Sequence, residues 1–290
     1  MPELPEVETV RRGLQKLIVN KTVESVEFDW PKSFPNAQTD VDAFLIGANI
    51  IGVRRRAKVL MIDLSTKYSL VIHLKMTGQL VYRGRQSFAA GHPSDSMINK
   101  LPDKSTRVVF GLSDDDVLYF NDQRKFGWVK LLPTSEISNM PFMQKVGPEP
   151  LLADFTADVF IARVRRRGGS AIKAVILDQS VLAGVGNIYA DESLWGALIH
   201  PATKVVDIDD DQLALLRDEI VFVMDLSIKK GGSTDKNYVD AEGKRGSYLK
   251  FARVFRREGQ ACPRCQTIIQ KIKVAGRGTH FCPTCQKVVV

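Results

Sequence analysis

The residues best suited to chemistry sit at the two ends of the chain. Near the far end, Cys262-Pro-Arg-Cys265 and Cys282-Pro-Thr-Cys285 are separated by 16 residues and account for every cysteine present. A two-residue gap lets both thiolates of a pair face one ion, and two such pairs complete a tetrahedral sulfur site for one structural Zn2+. Two disulfides are the competing use of the same four residues, and they belong to an oxidising compartment. His280 could replace a thiolate, but four sulfurs already complete the set.

At the other end, MPELPEVETV places two prolines and three glutamates in the first eight residues. With proline second, removal of the initiator methionine is expected, which exposes a secondary amine. That amine titrates near neutrality, far below lysine, so part of it is free to act as a nucleophile. Attack on a sugar C1′ would give an iminium with no N–H to lose, a fixed cation that acts as an electron sink. Glu3 follows at once as an acid–base partner for Pro2. Pro5, Glu6 and Glu8 are ordinary helix-start residues, a proline in the first turn and acids near the positive end of the dipole. On this reading Pro2 and Glu3 lie ahead of the helix and are not explained by it.

Other candidates are scattered between the ends. RRRAK at 54–58 is read at the start of a strand, where the field of three arginines would favour a proton-accepting Lys58; a solvated basic edge is the alternative. GVGNIY at 184–189 lacks the third glycine and the βαβ setting of a dinucleotide fingerprint. It reads better as a turn between two helices, with Asn187 capping the second and its amides open to an anion. The four histidines include no pair at i,i+4, so a catalytic HExxH metal is not expected, and there is no GxSxG elbow.

These residues need elements to hold them. Val7, Val10, Leu14 and Leu17 recur at helical spacing, predicting a helix over 5–18. Strand signals follow at VESVEF, ANIIGVRRRAKVLMIDL, SLVIHLKMTGQLVYR, TRVVFGL, VLYFND and FGWVKLL, with 84–106 read as a long surface loop. Four prolines between 133 and 150 mark a boundary. Helices are predicted over 156–167, 170–179, 187–198 and 209–230. The polar, glycine-rich 231–250 reads as a mobile loop. A β-hairpin with Ala275-Gly276-Arg277-Gly278 at its tip joins the cysteine pairs and holds Arg277 out as a phosphate or groove contact.

The chain has 290 residues, 44% hydrophobic and 26% charged, values of a globular protein of about two domains. No apolar run approaches the ~18 residues of a membrane span, and no signal core precedes Arg11, so a cytoplasmic location is expected. The net charge of +8 is concentrated: residues 244–290 carry 11 Lys and Arg against the single acid Glu258. With Tyr248, Phe251 and Phe255 alongside, that surplus points to a polyanion-binding module rather than a solvated tail.

Taken in order, PELPEVETVRRGL, RRAK, HLKMTG, DQRKFG, GPEPL, IK…DQ…AGVGNIYADE, GGS and the cysteine hairpin resemble the bacterial formamidopyrimidine-DNA glycosylases of the Fpg/Nei family, nearly end to end. The resemblance implies an α+β multidomain fold. Residues 1–133 would form an N-terminal helix with a β-sandwich and 134–150 a linker. Residues 151–243 would form a helix–two-turn–helix domain with a lesion-capping loop, and 244–290 a zinc β-hairpin. It implies base-excision repair by a bifunctional glycosylase/AP lyase acting on oxidised purines in double-stranded DNA, as a monomer, nucleoid-associated, with one zinc ion and no membrane. The alternatives are a Nei-type enzyme for oxidised pyrimidines and a non-catalytic DNA-binding relative.

By the same resemblance, Pro2 is the nucleophile, Glu3 the proton donor and Glu6 a buried support. Lys58 serves proton transfer in β-elimination and phosphate contact, and Arg277 serves phosphate binding and δ-elimination. Lys173 and Asn187 would be phosphate ligands. Met76, Arg124 and Phe126 would fill the gap left by an extruded base, although their strand setting by itself makes Met76 and Phe126 core residues. The sequence departs from the family pattern at Lys104-Ser105-Thr106-Arg107, where relatives carry K-H-x-H; Arg107 is the substitute phosphate contact. It departs again at Gln123 and Lys125, where D-P-R-R-F-G is common, and at Ala174, where I-K-P is common.

Overall fold

The computed structural model describes residues 2–92, 94–233 and 248–287. The chain divides into two compact units, Met1–Gln144 with Lys230–Ser247, and Lys145–Lys229 with Tyr248–Val290.

The first unit begins with α1, Leu4–Leu17, whose Leu4, Val7, Val10 and Leu14 are buried on one face. The helix starts one residue earlier than its apolar period suggests. Glu3 is the N-cap, and it forms a reciprocal capping box with Glu6, whose Oε2 accepts from the Glu3 amide at 2.9 Å. Glu3 is therefore part of the helix start and not ahead of it.

Behind α1 lie the strands β1 (Val23–Phe28), β2 (Ile50–Arg56), β3 (Val59–Leu64), β4 (Tyr68–His73), β5 (Gly78–Arg83), β6 (Ser87–Gly91), β7 (Thr106–Leu112), β8 (Asp116–Asp122) and β9 (Trp128–Pro133). Short helices α2 (Gln38–Asp40) and α3 (Pro141–Lys145) flank them. The strands form two antiparallel sheets, β1-β7-β8-β5-β6 and β2-β3-β4-β9. Alternate residues from both sheets, such as Ile62, Ile72, Leu80, Phe110 and Phe120, meet α1 in one core.

Three expectations change here. The run 48–64 is a hairpin and not one strand: Arg56 pairs with Val59, and Ala57 adopts φ +53 in the two-residue turn, so Lys58 sits on a turn. The run 69–83 is cut at 74–77, because β4 belongs to one sheet and β5 to the other. Met76 therefore stands on a sheet-to-sheet corner. The stretch 84–106 is not simply a surface loop. Its SFAAG segment has no strand-like composition, yet pairs with β5 as β6 and buries Phe88 and Ala90 in the main core. Met97 then packs with Val81, Ala89 and Tyr119 on the other face of the sheet.

The second unit contains α4 (Ala157–Arg165), α5 (Ile172–Leu177), α6 (Asn187–Gly196) and α7 (Asp210–Lys229), followed by the hairpin β10 (Gln270–Val274) and β11 (Arg277–Phe281). Thr156 caps α4 by accepting from the Val159 amide at 3.3 Å. Helix α6 is buried on all sides from Tyr189 to Gly196, between α5, α7 and β11. The N-cap of α6 is Gly186, so Asn187 is its first residue and not its cap. Most of 231–250, expected to close over an everted base, lies outside the described residues.

Candidate active site and nucleic-acid interface

In the first unit, Pro2, Glu3 and Glu6 are all buried at the start of α1. Glu6 turns both ways from there: one oxygen closes the capping box, and Oε1 accepts from the amide of Ser233 at 2.9 Å. Gly232 takes φ +89 beside it, a left-handed conformation that side chains rarely adopt, so glycine suits the backbone that passes Glu6.

Lys58 is also buried, which sets aside the solvated edge. Its turn is tied to α1 by Arg55. The Arg55 guanidinium donates to Glu8 Oε2 at 3.0 Å and to the carbonyl of Ala57 at 2.9 Å. Burial pushes the Glu8 carboxyl up, but donors from Arg11, Arg12 and Arg55 outweigh it and hold it at about 2. Glu8, which the sequence reading left to the helix dipole, is the anchor that joins helix to turn. His73, opposite Val59 on β4, is held neutral: burial first, then the charges of Lys75 and Lys58, push it down to about 3.

Met76, Arg124 and Phe126 are brought together from two separate loops. Arg124 Nη1 lies 3.0 Å from Met76 Sδ, and the guanidinium carbon lies 4.7 Å from the Phe126 ring centre. Met76 and Phe126 are 37% and 51% exposed, so they are not the core residues that their apolar setting suggests. A thioether, a guanidinium plane and an aromatic face presented together to solvent can stack on a base or fill a gap in a stack.

Arg107 differs from its expected role. It is buried, and its guanidinium donates to the carbonyl of Asp122 at 3.0 Å, to the Asp29 carboxylate and to the carbonyl of Lys104. With its donors consumed inside the fold, it buttresses the β7–β8 region and is not presented to a phosphate.

In the second unit, Lys173 is likewise fully buried. Its Nζ donates to Asp191 Oδ1 at 2.6 Å and to Thr279 Oγ1 at 2.7 Å. It ties α5 to α6 and β11 rather than reaching outward. Asn187 Nδ2 donates to the carbonyl of Gly278 at 2.9 Å, a second tie to the hairpin. Arg277 itself is exposed, one residue past the Ala275-Gly276 turn, whose φ values of +50 and +74 match a two-residue I′-type turn. Asp191 and Glu192 were missed as individual residues. Asp191 Oδ2 also accepts from the His280 amide at 2.9 Å, and Glu192 accepts from the amides of Arg253, Val254 and Phe255. The GVGNIYADE stretch is thus a mount for the hairpin.

The four cysteine sulfurs lie within 4.8 Å of one another, with Cys265 3.4 Å from both Cys282 and Cys285, and Cys262 3.9 Å from Cys285. A tetrahedron with metal–sulfur bonds of about 2.3 Å has edges of about 3.8 Å, so the sulfur cage fits one zinc ion. Cys262 also accepts from Trp195 Nε1 at 3.4 Å, a donor to thiolate charge. The cysteines hold one structural zinc.

A helical DNA-binding unit with a zinc hairpin, joined in one chain to a helix-led β-sandwich, defines a class of DNA-repair protein, and sequence relationships agree. Residues 1–129 match the formamidopyrimidine-DNA glycosylase N-terminal domain, 146–238 the H2TH domain of the same proteins, and 259–288 the zinc finger found in FPG and IleRS. The formamidopyrimidine-DNA glycosylase of Lactiplantibacillus plantarum is 41% identical over 99% of this chain and 100% of its own. A Lactococcus lactis FPG mutant in complex with Fapy-dG containing DNA superposes with a TM-score of 0.87 at 35% identity, covering 99% of this chain and 100% of that one. The L. lactis Fpg complex with abasic-site DNA also gives 0.87 at 35% identity, covering 98% and 99%. The chain belongs to the formamidopyrimidine-DNA glycosylase family. It is a base-excision-repair glycosylase that acts on damaged DNA. No helix among the described residues is long and apolar enough to cross a membrane.

Proposed function

We propose that the chain is a bifunctional glycosylase and AP lyase that removes 8-oxoguanine and formamidopyrimidines from double-stranded DNA as a cytoplasmic, nucleoid-associated monomer, with Pro2 as nucleophile. The observation that supports it most is the arrangement behind Pro2. A capping box of two buried glutamates follows it, and the Lys58 turn is tethered through Arg55 and Glu8 to the helix that box begins.

The chemistry runs as proton and electron transfers at named atoms. With the initiator methionine removed, the neutral Pro2 nitrogen attacks C1′, the C1′–base bond breaks with the electron pair leaving on the base, and the proton lost from the Pro2 N–H balances the one that the base takes up. Glu3 delivers a proton to O4′ as the sugar ring opens, leaving an iminium between Pro2 and C1′. That cation acidifies the C2′ hydrogens. Lys58 accepts one of them as the 3′ phosphate departs in β-elimination. Arg277 binds phosphate and favours departure of the 5′ phosphate in the δ step, in which the C4′ hydrogen is lost as a proton. Water then adds to the iminium carbon, and collapse of the adduct releases the sugar-derived aldehyde and frees the Pro2 amine. Met76, Arg124 and Phe126 occupy the gap left by the extruded nucleotide, offsetting unstacking of a few kcal/mol.

Borohydride reduction during turnover of an 8-oxoguanine:cytosine duplex is expected to trap a covalent adduct with wild-type protein and none with Pro2→Gly. A Pro2→Gly protein that nicks this duplex at the wild-type rate without an adduct would sink the proline mechanism. Faster release of thymine glycol than of 8-oxoguanine would reassign the substrate to oxidised pyrimidines.

A further inference from the structure

Asp122, the last residue of β8, is fully buried, and no step above uses it. Its carboxylate accepts from both of the loops that carry the exposed trio. From the β4–β5 corner, Thr77 donates its hydroxyl to Oδ1. From the β8–β9 loop, the Arg124 amide donates to Oδ1 at 3.1 Å, and the amides of Phe126 and Gly127 donate to Oδ2 at 2.8 and 2.7 Å. The Arg124 amide also donates to Thr77 Oγ1 at 3.1 Å, which closes a small ring of bonds between the loops. The main chain of Asp122 is fixed in turn. Its amide donates to the Ser105 carbonyl at 2.7 Å, and its carbonyl accepts from Arg107 Nε at 3.0 Å.

We propose that Asp122, coupled through Thr77, is the positioning residue that holds Met76, Arg124 and Phe126 in register as one wedge. This rests on the reading of that trio as the group that fills the emptied base stack. A ring half exposed and a thioether more than a third exposed are held only in part by packing, so the loops that carry them must supply the rest of their placement. The β8–β9 loop also carries Lys125 at φ +56, a left-handed conformation that a non-glycine residue holds only when its surroundings insist on it. Every group facing the Asp122 carboxylate is a donor, three amides and one hydroxyl, so an acceptor-only side chain is required. Asparagine has the same shape but would set an NH2 against one of those donors. Arg107 thereby gains a purpose without touching DNA: it braces the clamp from behind.

The test uses the full-length zinc-loaded protein and a duplex carrying a tetrahydrofuran abasic analogue with 2-aminopurine beside it. The probe brightens when a wedge disrupts its stacking, and no covalent chemistry is needed. Wild-type protein is expected to give the fluorescence step. Asp122→Asn is expected to lose most of it and to lower the ratio of cleavage rates, duplex over single-stranded abasic substrate, about tenfold; a misplacement near 1 Å can cost up to about a hundredfold. Thr77→Ala, a milder change for the case in which Asp122→Asn does not fold, should lower both readouts by a smaller factor, and Thr77→Ser should restore them. A full fluorescence step and an unchanged rate ratio in folded Asp122→Asn, or in Thr77→Ala, overturns the clamp. No step with wild-type protein overturns the wedge and the clamp together. An intact step without borohydride trapping removes the proline mechanism and leaves the clamp standing.

Discussion

Lys173 and Asp191 form an ion pair of 2.6 Å in which neither side chain has any exposed surface. The lysine comes from the start of α5 and the aspartate from the middle of α6, and Asp191 continues to the main chain and ring of His280 in β11. A residue whose motif suggests a phosphate ligand is a pin between two helices and a hairpin. It can affect DNA binding by fixing where Arg277 stands, without itself meeting a phosphate.

Asp191→Ala should therefore cost much more than a surface pair would. It strands a buried ammonium and an amide, a loss of about 3–5 kcal/mol, whereas exposed pairs contribute about 0–1 kcal/mol. A urea melt should show the loss as a lower midpoint. DNA affinity should fall as well, because the Arg277 hairpin loses a mount. An unchanged midpoint would mean that the pair is not the pin described.

His73 and Glu8 should both contribute to the acid sensitivity of the first unit, in different windows. His73 is held at about 3 against an ordinary 6.5, so its contribution is fully present above 6.5 and is lost as pH falls toward 3. Glu8 is held at about 2 against 4.5, so its contribution is fully present above 4.5 and is lost as pH falls toward 2. Urea midpoints between pH 7 and 5 should decline in part through His73, and its ring proton signals should show no titration above pH 5. Glu8→Gln should flatten the stability slope below 4.5 and leave the slope from 7 to 5 as it was.

The zinc site should report through Trp195. This indole donates to Cys262 and lies against two guanidiniums, with Arg264 3.9 Å and Arg253 4.8 Å from its ring centre. The cluster around it is small, chiefly Val254, Ile269 and the cysteines, so the metal and not apolar burial must hold the module. Chelation is expected to shift tryptophan emission and lower the thermal midpoint of the second unit. Trp195→Phe should lose zinc to a chelator about 10-fold faster, the scale of a lost outer-sphere donor. Equal release rates would confine Trp195 to packing.

The helices of both units were legible because their signals are local: an apolar residue every third or fourth place for α1, and acids and prolines at its start. The cysteine pairs were legible for the same reason, since two residues within one turn must face one ion. Strand runs were found, but their breaks were not. The turns at Ala57-Lys58 and at 74–77 lie inside unbroken apolar or basic stretches, and β6 has no strand-like composition. Only pairing with β5 makes that segment a strand.

Side-chain environment was the least legible part. Arg107 and Lys173 are basic residues, which sequence reasoning places at a surface, yet both are buried against partners far along the chain. Asp122 meets Thr77 across 45 residues, and Lys173 meets Thr279 across 106. By itself the sequence determined the zinc ligand set and the order of the parts, because each depends on neighbours within a few positions. The tertiary structure decided which charged groups face outward and which become pins and clamps. A buried charge is tolerated only where distant donors and acceptors converge on it, and that convergence exists only once the strands and helices have packed.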